Sequence, residues 1–155
     1  MTNLEYLINK EELTVLGFII KLNRMSQKMS QQALSEGICV PSYLSKIENG
    51  EVVPSLEMIE LLFEELAIDY CQDYAFINQT KKQFQLFFEE LNFNGFKTSK
   101  EIFKRLEQEE KKIKHSPLIV DYYLVKLAYY CGTGERHLYE KAYELLSSIK
   151  TLFKE

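Results

Sequence analysis

Two short helices joined by one tight turn are predicted between Ser30 and Gly50. The Ser30 hydroxyl can accept a backbone N–H of the first helical turn, and Gly37 ends that helix because glycine tolerates a positive φ. Pro41 suits the first position of the next helix, since it has no N–H that would lack a partner there. That helix runs to Glu48 and stops at the Asn-Gly pair that follows.

Longer amphipathic segments flank this pair of helices. Upstream, apolar residues recur with helical spacing from Leu13 to Met25, and downstream Ser55 caps a helix with apolar residues as far as Leu66. The composition then changes between Ile68 and Gln72. We therefore expect a five-helix domain over residues 1–69.

The remainder, residues 70–155, is predicted to be helical as well. Aromatic residues are concentrated from Tyr70 to Leu91, and at helical spacing we interpret them as core. Few glycines and prolines interrupt the chain, which favours helices with short connections. The predicted fold class is therefore all-α, with antiparallel helical pairs in a second domain. Three of its helices are expected over Thr98–His115, Ser116–Tyr130 and Leu138–Phe153, the first opened by a capping box at Thr98–Glu101.

A pair of short helices of this kind can place the start of its second helix in the major groove of DNA, provided that its other side packs on an apolar layer. The residues predicted for that layer are Met29, Leu34, Ile38, Leu44 and Ile47. The outward residues are then Pro41, Ser42, Ser45, Lys46 and Asn49, with Tyr43 at the edge. These side chains can face a groove without burying an unpaired charge.

The run MSQQALSEGIC from Met29 to Cys39, continued by VPSYLSKIENGEVVPS, resembles the Cro/repressor-type helix-turn-helix. More narrowly, it resembles the Rgg/PlcR-like peptide-sensing, or quorum-sensing, transcription regulators of Gram-positive bacteria. The resemblance covers about a third of the chain. In that group a tetratricopeptide-like helical domain follows, and the stretch from Pro117 to Ile149 is similar to a degenerate repeat of two helices.

The resemblance implies roles for particular residues. Gln31 would contact a phosphate or a base edge at the start of the support helix, and Asn49 would lie near a phosphate. Arg24 and Glu48 would pair inside the domain. The residues that it places in the major groove are Pro41, Ser42, Tyr43, Ser45 and Lys46.

The sequence departs from this family at several points. Asn23 stands where an apolar residue is usual, and Lys28 stands where the turn usually has glycine. Full-length members have roughly five repeats that enclose a peptide groove, and this chain has about two. Because the curvature of such an array accumulates over its repeats, we expect a shallow surface and do not favour a signalling peptide as a ligand.

Charge and cysteine content narrow the possible functions. The net charge is −4, and residues 16–54 carry four bases against three acids, so non-specific affinity for DNA phosphates should be weak. The separated Cys39, Cys71 and Cys131 suit reduced thiols and indicate no metal site, and Cys39 is expected to pack in the turn. No apolar run is long enough to span a membrane, and the start has no signal pattern, so we expect a cytoplasmic protein.

These features predict a sequence-specific transcription regulator that binds double-stranded DNA as a homodimer on a palindromic operator. Its second domain would hold the dimer together, because so few helices cannot cover all of their aromatic residues alone. The alternative is a shortened, regulator-like interaction module that binds and modulates a full-length regulator, which the acidic first domain favours. No catalytic constellation and no phosphate-binding glycine loop appear, so we predict neither enzymatic activity nor a cofactor.

Overall fold

The computed structural model describes the backbone of residues 10–149 and the side chains of residues 15–149. Every regular element among these residues is a helix, which confirms the predicted all-α fold class. No helix in this range combines the length and the apolarity that a membrane span requires. The helices are α1 (Lys10–Ser26), α2 (Gln31–Ser35), α3 (Pro41–Glu48), α4 (Leu56–Glu65), α5 (Tyr74–Phe93), α6 (Phe96–Gln108), α7 (Glu110–Lys114), α8 (Ile119–Thr133) and α9 (Arg136–Ser147).

The chain divides into two compact units, with one division between Asp69 and Tyr70. The second unit comprises residues 70–146. Residues 147–149 group with the first unit, whereas the sequence assigns residues 70–155 to a single second domain. The first unit therefore contains residues that precede the second unit in the sequence and residues that follow it.

The first unit is organised around an aliphatic core. Helix α1 packs on α3 and α4, and the short α2 packs on the same two helices. Burying one such side chain contributes about 1.5–3 kcal/mol, and this packing holds a helix of five residues that would not form alone. The completely buried members of the core are Leu16, Ile19, Ile20, Leu22, Leu34, Leu44, Ile59 and Leu62.

The sequence predicts five helices in this unit, and its described residues contain four, α1 to α4. After α4 the backbone of Ala67 takes a left-handed conformation, with φ of 52°. The backbone N–H of Ile68 then bonds to the Phe63 carbonyl and closes the end of the helix. From there the chain runs without helical structure as far as Asp73.

The second unit is built on the pair α5 and α6, which are joined by Asn94 and Gly95. Helix α8 packs against both, and α7 packs against α6 and α8. The rings of Phe103 and Tyr129 stack with centroids 3.8 Å apart. Of the aromatic residues that the sequence places in the core, Phe84 and Phe87 are buried, whereas Tyr74 and Phe88 are exposed. The core of this unit also includes Ile77, Ile102, Leu106, Ile113, Leu118, Tyr122, Val125 and Tyr130.

The predicted capping box at Thr98–Glu101 is wrong. Helix α6 begins two residues earlier, at Phe96, because Gly95 turns the chain there with φ of 78°. Ser99 consequently lies inside the helix, completely buried, and its hydroxyl donates to the carbonyl oxygen of Phe96 over 3.0 Å. A serine within a helix can satisfy its hydroxyl in this way without capping anything.

The ends of the later helices also differ from the prediction. The helix expected to reach His115 ends at Gln108 and is followed by the separate α7. Helix α8 continues to Thr133, where the left-handed Gly134 ends it. Helix α9 ends at Ser147, so its predicted continuation fails at Ser148 and Ile149, and the rest of that prediction lies outside the described residues.

Candidate nucleic-acid interface

Helices α2 and α3 form the predicted helix-turn-helix. The Ser30 hydroxyl accepts the backbone N–H of Ala33 over 3.0 Å, which confirms it as the N-cap of α2. The turn after α2 passes through Gly37 with φ of 74°, and the backbone N–H groups of Ile38 and Cys39 both bond to the Ser35 carbonyl. Pro41 occupies the first turn of α3 as predicted. Local sequence signals therefore determine where both helices begin and where the turn between them lies.

The two sides of α3 differ sharply in burial. Leu44, Ile47 and Glu48 face the interior of the unit and are 0–1% exposed. The residues predicted to face DNA lie on the rest of the helix surface and at its end: Pro41, Ser42 and Lys46 are exposed, and Tyr43, Ser45 and Asn49 are partly exposed. The structure thus brings six of the seven predicted contact residues together on α3 and its C-cap.

Gln31, the seventh predicted contact, has a different environment. It is partly buried at the start of α2, and its Nε2 donates to Glu48 Oε2 over 2.8 Å. The same carboxylate accepts two hydrogen bonds from Arg24. Nε donates to Oε1 over 2.6 Å, and Nη2 donates to Oε2 over 2.9 Å. The internal pair implied for Arg24 and Glu48 is therefore present.

This buried network fixes the position of α3. Arg24 also donates to the carbonyl oxygen of Met29 over 2.7 Å, so one side chain joins the end of α1, the following turn and α3. Glu48 is completely buried, and a buried carboxylate is stable only when a cation and further hydrogen bonds compensate for its lost hydration. Rotating α3 about its axis would break these bonds, so the network fixes which residues α3 exposes.

Lys21 makes a second connection to α3 that the sequence does not predict. Its Nζ donates to Asn49 Oδ1 over 3.2 Å and to the backbone carbonyl of Ser148 over 2.5 Å. The ammonium group therefore lies at the C-terminal end of α3, where the helix dipole favours a positive charge. No local pattern reveals these contacts, because the partners lie far along the chain from Lys21.

The turn between α1 and α2 contains the departure at Lys28. The backbone of Lys28 is left-handed, with φ of 56°. Its N–H bonds to the Met25 carbonyl, and the N–H of Met29 bonds to the Arg24 carbonyl, which is the hydrogen-bond pattern of a Schellman cap. The position thus requires the conformation that glycine adopts most easily, and the lysine side chain is exposed to solvent.

The exposed charges of this region are balanced in sign. Arg24 and Glu48 neutralise each other inside the unit. Of the remaining charged residues between 16 and 54, Lys28 and Lys46 are exposed, and so are Glu36 and Glu51. Specific DNA binding by this surface would therefore depend on contacts to bases more than on neutralised phosphates.

Cys39 lies in the turn and is partly buried, in agreement with its predicted packing. Burial raises the pKa of its thiol, although a hydrogen bond from the backbone of Leu44 opposes that rise. A raised pKa disfavours the reactive thiolate. In the described part of the chain, no group of histidine, cysteine and acidic residues is arranged to hold a metal ion.

Residues 20–71 match a helix-turn-helix family model. The match begins within α1, includes α2, α3 and α4, and ends at the first residues of the second unit. No curated protein and no solved structure is significantly similar to the chain. The comparison confirms a Cro/C1-type helix-turn-helix domain, and the narrower resemblance to Rgg/PlcR-like regulators stays a prediction.

Proposed function

We propose that the helix-turn-helix domain over residues 20–71 makes this chain a sequence-specific transcription regulator that acts as a homodimer on a palindromic operator. Helix α3 is the recognition helix, and its first turn enters the major groove of double-stranded DNA. Pro41, Ser42, Tyr43, Ser45 and Lys46 face the bases, Gln31 contacts a phosphate or a base edge, and Asn49 lies near a phosphate. The regulator needs no cofactor.

The observation that supports this proposal best is the buried bond between Arg24 and Glu48. A recognition helix discriminates bases only if its side chains are presented in one fixed orientation. The carboxylate of Glu48 anchors the last turn of α3 to α1 and, through Gln31, to α2. Small and polar side chains on the opposite side are left available for base edges.

We infer a homodimer because the recognition helix of one copy contacts too few base pairs for useful specificity. One recognition helix reads only a few base pairs, so a second copy about 34–36 Å along the duplex is needed for useful specificity. A twofold dimer reads a palindrome for reasons of symmetry. The second unit, which we propose to be tetratricopeptide-like, supplies the dimer contact and exposes large apolar side chains such as Tyr74, Leu124 and Tyr143.

Selection from random duplex DNA tests the function directly. The full chain is incubated with a randomised pool, and the bound sequences are amplified and read over several rounds. We expect enrichment of one palindromic motif with half-sites about one helical turn apart. No enrichment over the starting pool would contradict the proposal.

The near-neutral surface around α3 favours a second candidate, an interaction module that modulates a full-length regulator. Such a module would have no operator of its own. Its expected result is no enrichment in the selection, together with a stable complex when the chain is mixed with a purified full-length regulator of the same class. Enrichment of a motif by the chain alone would exclude this candidate.

A further inference from the structure

A shallow groove lies between α5 and α8 in the second unit. Its volume is about 450 Å³, and its lining residues are Lys81, Phe84, Gln85, Phe88, Asp121 and Leu124. The four residues from α5 are spaced as i, i+3, i+4 and i+7, so they form one stripe along that helix. The two residues from α8 are also neighbours on one face of their helix.

The centre of the groove is apolar. Phe84 forms its buried floor, where its ring stacks on Tyr122 with centroids 6.3 Å apart. Phe88 and Leu124 stand beside it and remain 38% and 46% exposed. An isolated exposed apolar residue is ordinary, but two large ones at the same groove mark a surface that gains from being covered.

Opposite charges flank this apolar centre. Lys81 is contributed by α5 and Asp121 by α8, and no ion pair among the described residues includes either of them. Burial raises the pKa of the Asp121 carboxyl, and a hydrogen bond from its own backbone N–H and the positive charge of Lys81 oppose this only in part. The carboxylate would therefore gain from a closer cation.

The charges of the groove are complementary to those of a second, identical groove. In a twofold interface each surface meets an identical one, so a residue on one wall contacts a residue on the opposite wall of the other copy. A twofold axis that runs along the groove would lay α5 of each copy over α8 of the other and bring Phe88 and Leu124 of both copies into one interface. The same axis places the lysine on one wall opposite the aspartate of the other wall, twice in each dimer.

We propose that the α5–α8 groove is the surface on which a second copy of the chain docks, with Lys81 of each copy facing Asp121 of the other. This inference rests on the homodimer in the proposed function and names its contact surface. Electrostatic complementarity of this kind fixes the orientation of two surfaces and disfavours other partners.

A charge exchange tests the proposal. The variants are Lys81→Glu, Asp121→Lys and the double exchange, each measured by sedimentation equilibrium of the full chain. We expect each single exchange to raise the dimer dissociation constant about tenfold or more, because it sets like charges together at two places. The double exchange restores opposite charges across the interface, and its dissociation constant should return towards that of the unsubstituted chain.

Lys82→Glu is the matched control, because Lys82 is exposed on α5 next to Lys81 and does not line the groove. It changes the charge of the chain equally and should leave the dissociation constant unchanged. Leu124→Asp removes apolar contact and adds a repelling charge, and it should give the monomer mass of 18.3 kDa. Urea denaturation of each variant shows whether a loss of dimer reflects loss of the fold.

Three results would overturn the docking surface: an unsubstituted chain that stays monomeric at about 100 µM, a dimer that survives Leu124→Asp, or a double exchange that dimerises no better than the single ones. Failure of the proposed function gives a different result. A chain that dimerises through this groove and selects no DNA motif would refute operator binding and leave the docking surface intact.

Discussion

Gly17 of α1 lies against the backbone carbonyl of Ile47 in α3, and no side chain fits between them. A Cβ atom placed on Gly17 would overlap the Ile47 carbonyl oxygen. The two helices therefore approach each other backbone to backbone, close to the buried Glu48. An isolated glycine in a helical pattern can indicate such an approach, but it does not tell which partner approaches.

Gly17→Ala should lower the free energy of unfolding by about 1–3 kcal/mol. Helix propensity alone predicts the opposite, a gain of about 1 kcal/mol, so the sign of the change distinguishes packing from propensity. Urea denaturation of the full chain measures it. Gly132→Ala in α8 is the comparison, because its methyl group would overlap the ring of Phe96, a side chain, where that of Gly17 would overlap backbone. We expect a smaller loss of stability there. An increase in stability for Gly17→Ala would contradict this packing.

Ser42→Ala and Lys46→Ala should each weaken binding to the selected operator by about 1–3 kcal/mol, and less where water replaces the lost contact. Both side chains are exposed, so the urea midpoint should change little. Fluorescence anisotropy with a labelled duplex measures the affinity, and Lys104→Ala on the exposed face of α6 is the control. Unchanged affinity in both variants would show that α3 is not the recognition helix.

Gln31→Ala should reduce stability as well as DNA affinity. Its amide donates to the buried Glu48 carboxylate, and a hydrogen bond to a charged group contributes about 1.5–3 kcal/mol. Any contact between Gln31 and DNA is lost as well. The urea midpoint measures the loss of stability, and fluorescence anisotropy with the labelled duplex measures the loss of DNA affinity. A variant with normal stability would show that the bond to Glu48 contributes nothing.

Lys28→Gly should stabilise the chain by about 0.5–1 kcal/mol. The left-handed conformation costs a lysine roughly 1–2 kcal/mol, and the greater freedom of glycine in the unfolded chain offsets part of the gain. Ala67→Gly tests the same effect without a change of charge, because Ala67 ends α4 in the same conformation. Thermal denaturation checks both variants. A loss of stability in both would refute the expected relief of strain.

Glu110 should make the stability of the second unit depend on pH in the acid range. Burial raises the pKa of Glu110, but the hydrogen bonds and charges of Lys126 and Lys114 outweigh it and hold the pKa below its ordinary value. A carboxyl group whose pKa is lower in the folded chain stabilises the fold at pH values above its pKa in the unfolded chain, about 4.3 for glutamate. That stabilisation is lost as the pH falls through the pKa of the folded chain.

Glu110→Gln should therefore be less stable than the unsubstituted chain at pH 7, with a difference that narrows below about pH 4. Urea midpoints at several pH values measure this difference. Glu101→Gln is the control, since Glu101 is exposed on α6 and belongs to no ion pair of the described residues. A difference that is constant with pH would contradict the role given to the Lys126 and Lys114 contacts.

Several features could be predicted from short stretches of sequence. The caps at Ser30 and Ser55, the turn at Gly37 and the start of α3 at Pro41 all depend on a residue and its nearest neighbours. A hydroxyl, a missing Cβ or a missing N–H acts within one helical turn, so its effect is the same in most proteins. The buried side of α3 followed from the period of the α-helix in the same way.

Local signals failed where two of them competed within a few residues. Thr98–Glu101 has the pattern of a capping box, yet the turn at Gly95 and the packing around Ser99 placed α6 two residues earlier. Such four-residue patterns are common inside helices as well as at their starts, so burial decides which reading holds.

By itself, the sequence determined that the chain is helical, where the helix-turn-helix lies and which side of α3 faces outward. Only the tertiary structure decided that Gly17 touches Ile47, that Gln31 is bonded to Glu48 and that Lys21 joins Asn49 to the carbonyl of Ser148. Each of these contacts joins residues from different elements. Their energy depends on three-dimensional distance and burial, and the adjacent residues in the sequence determine neither.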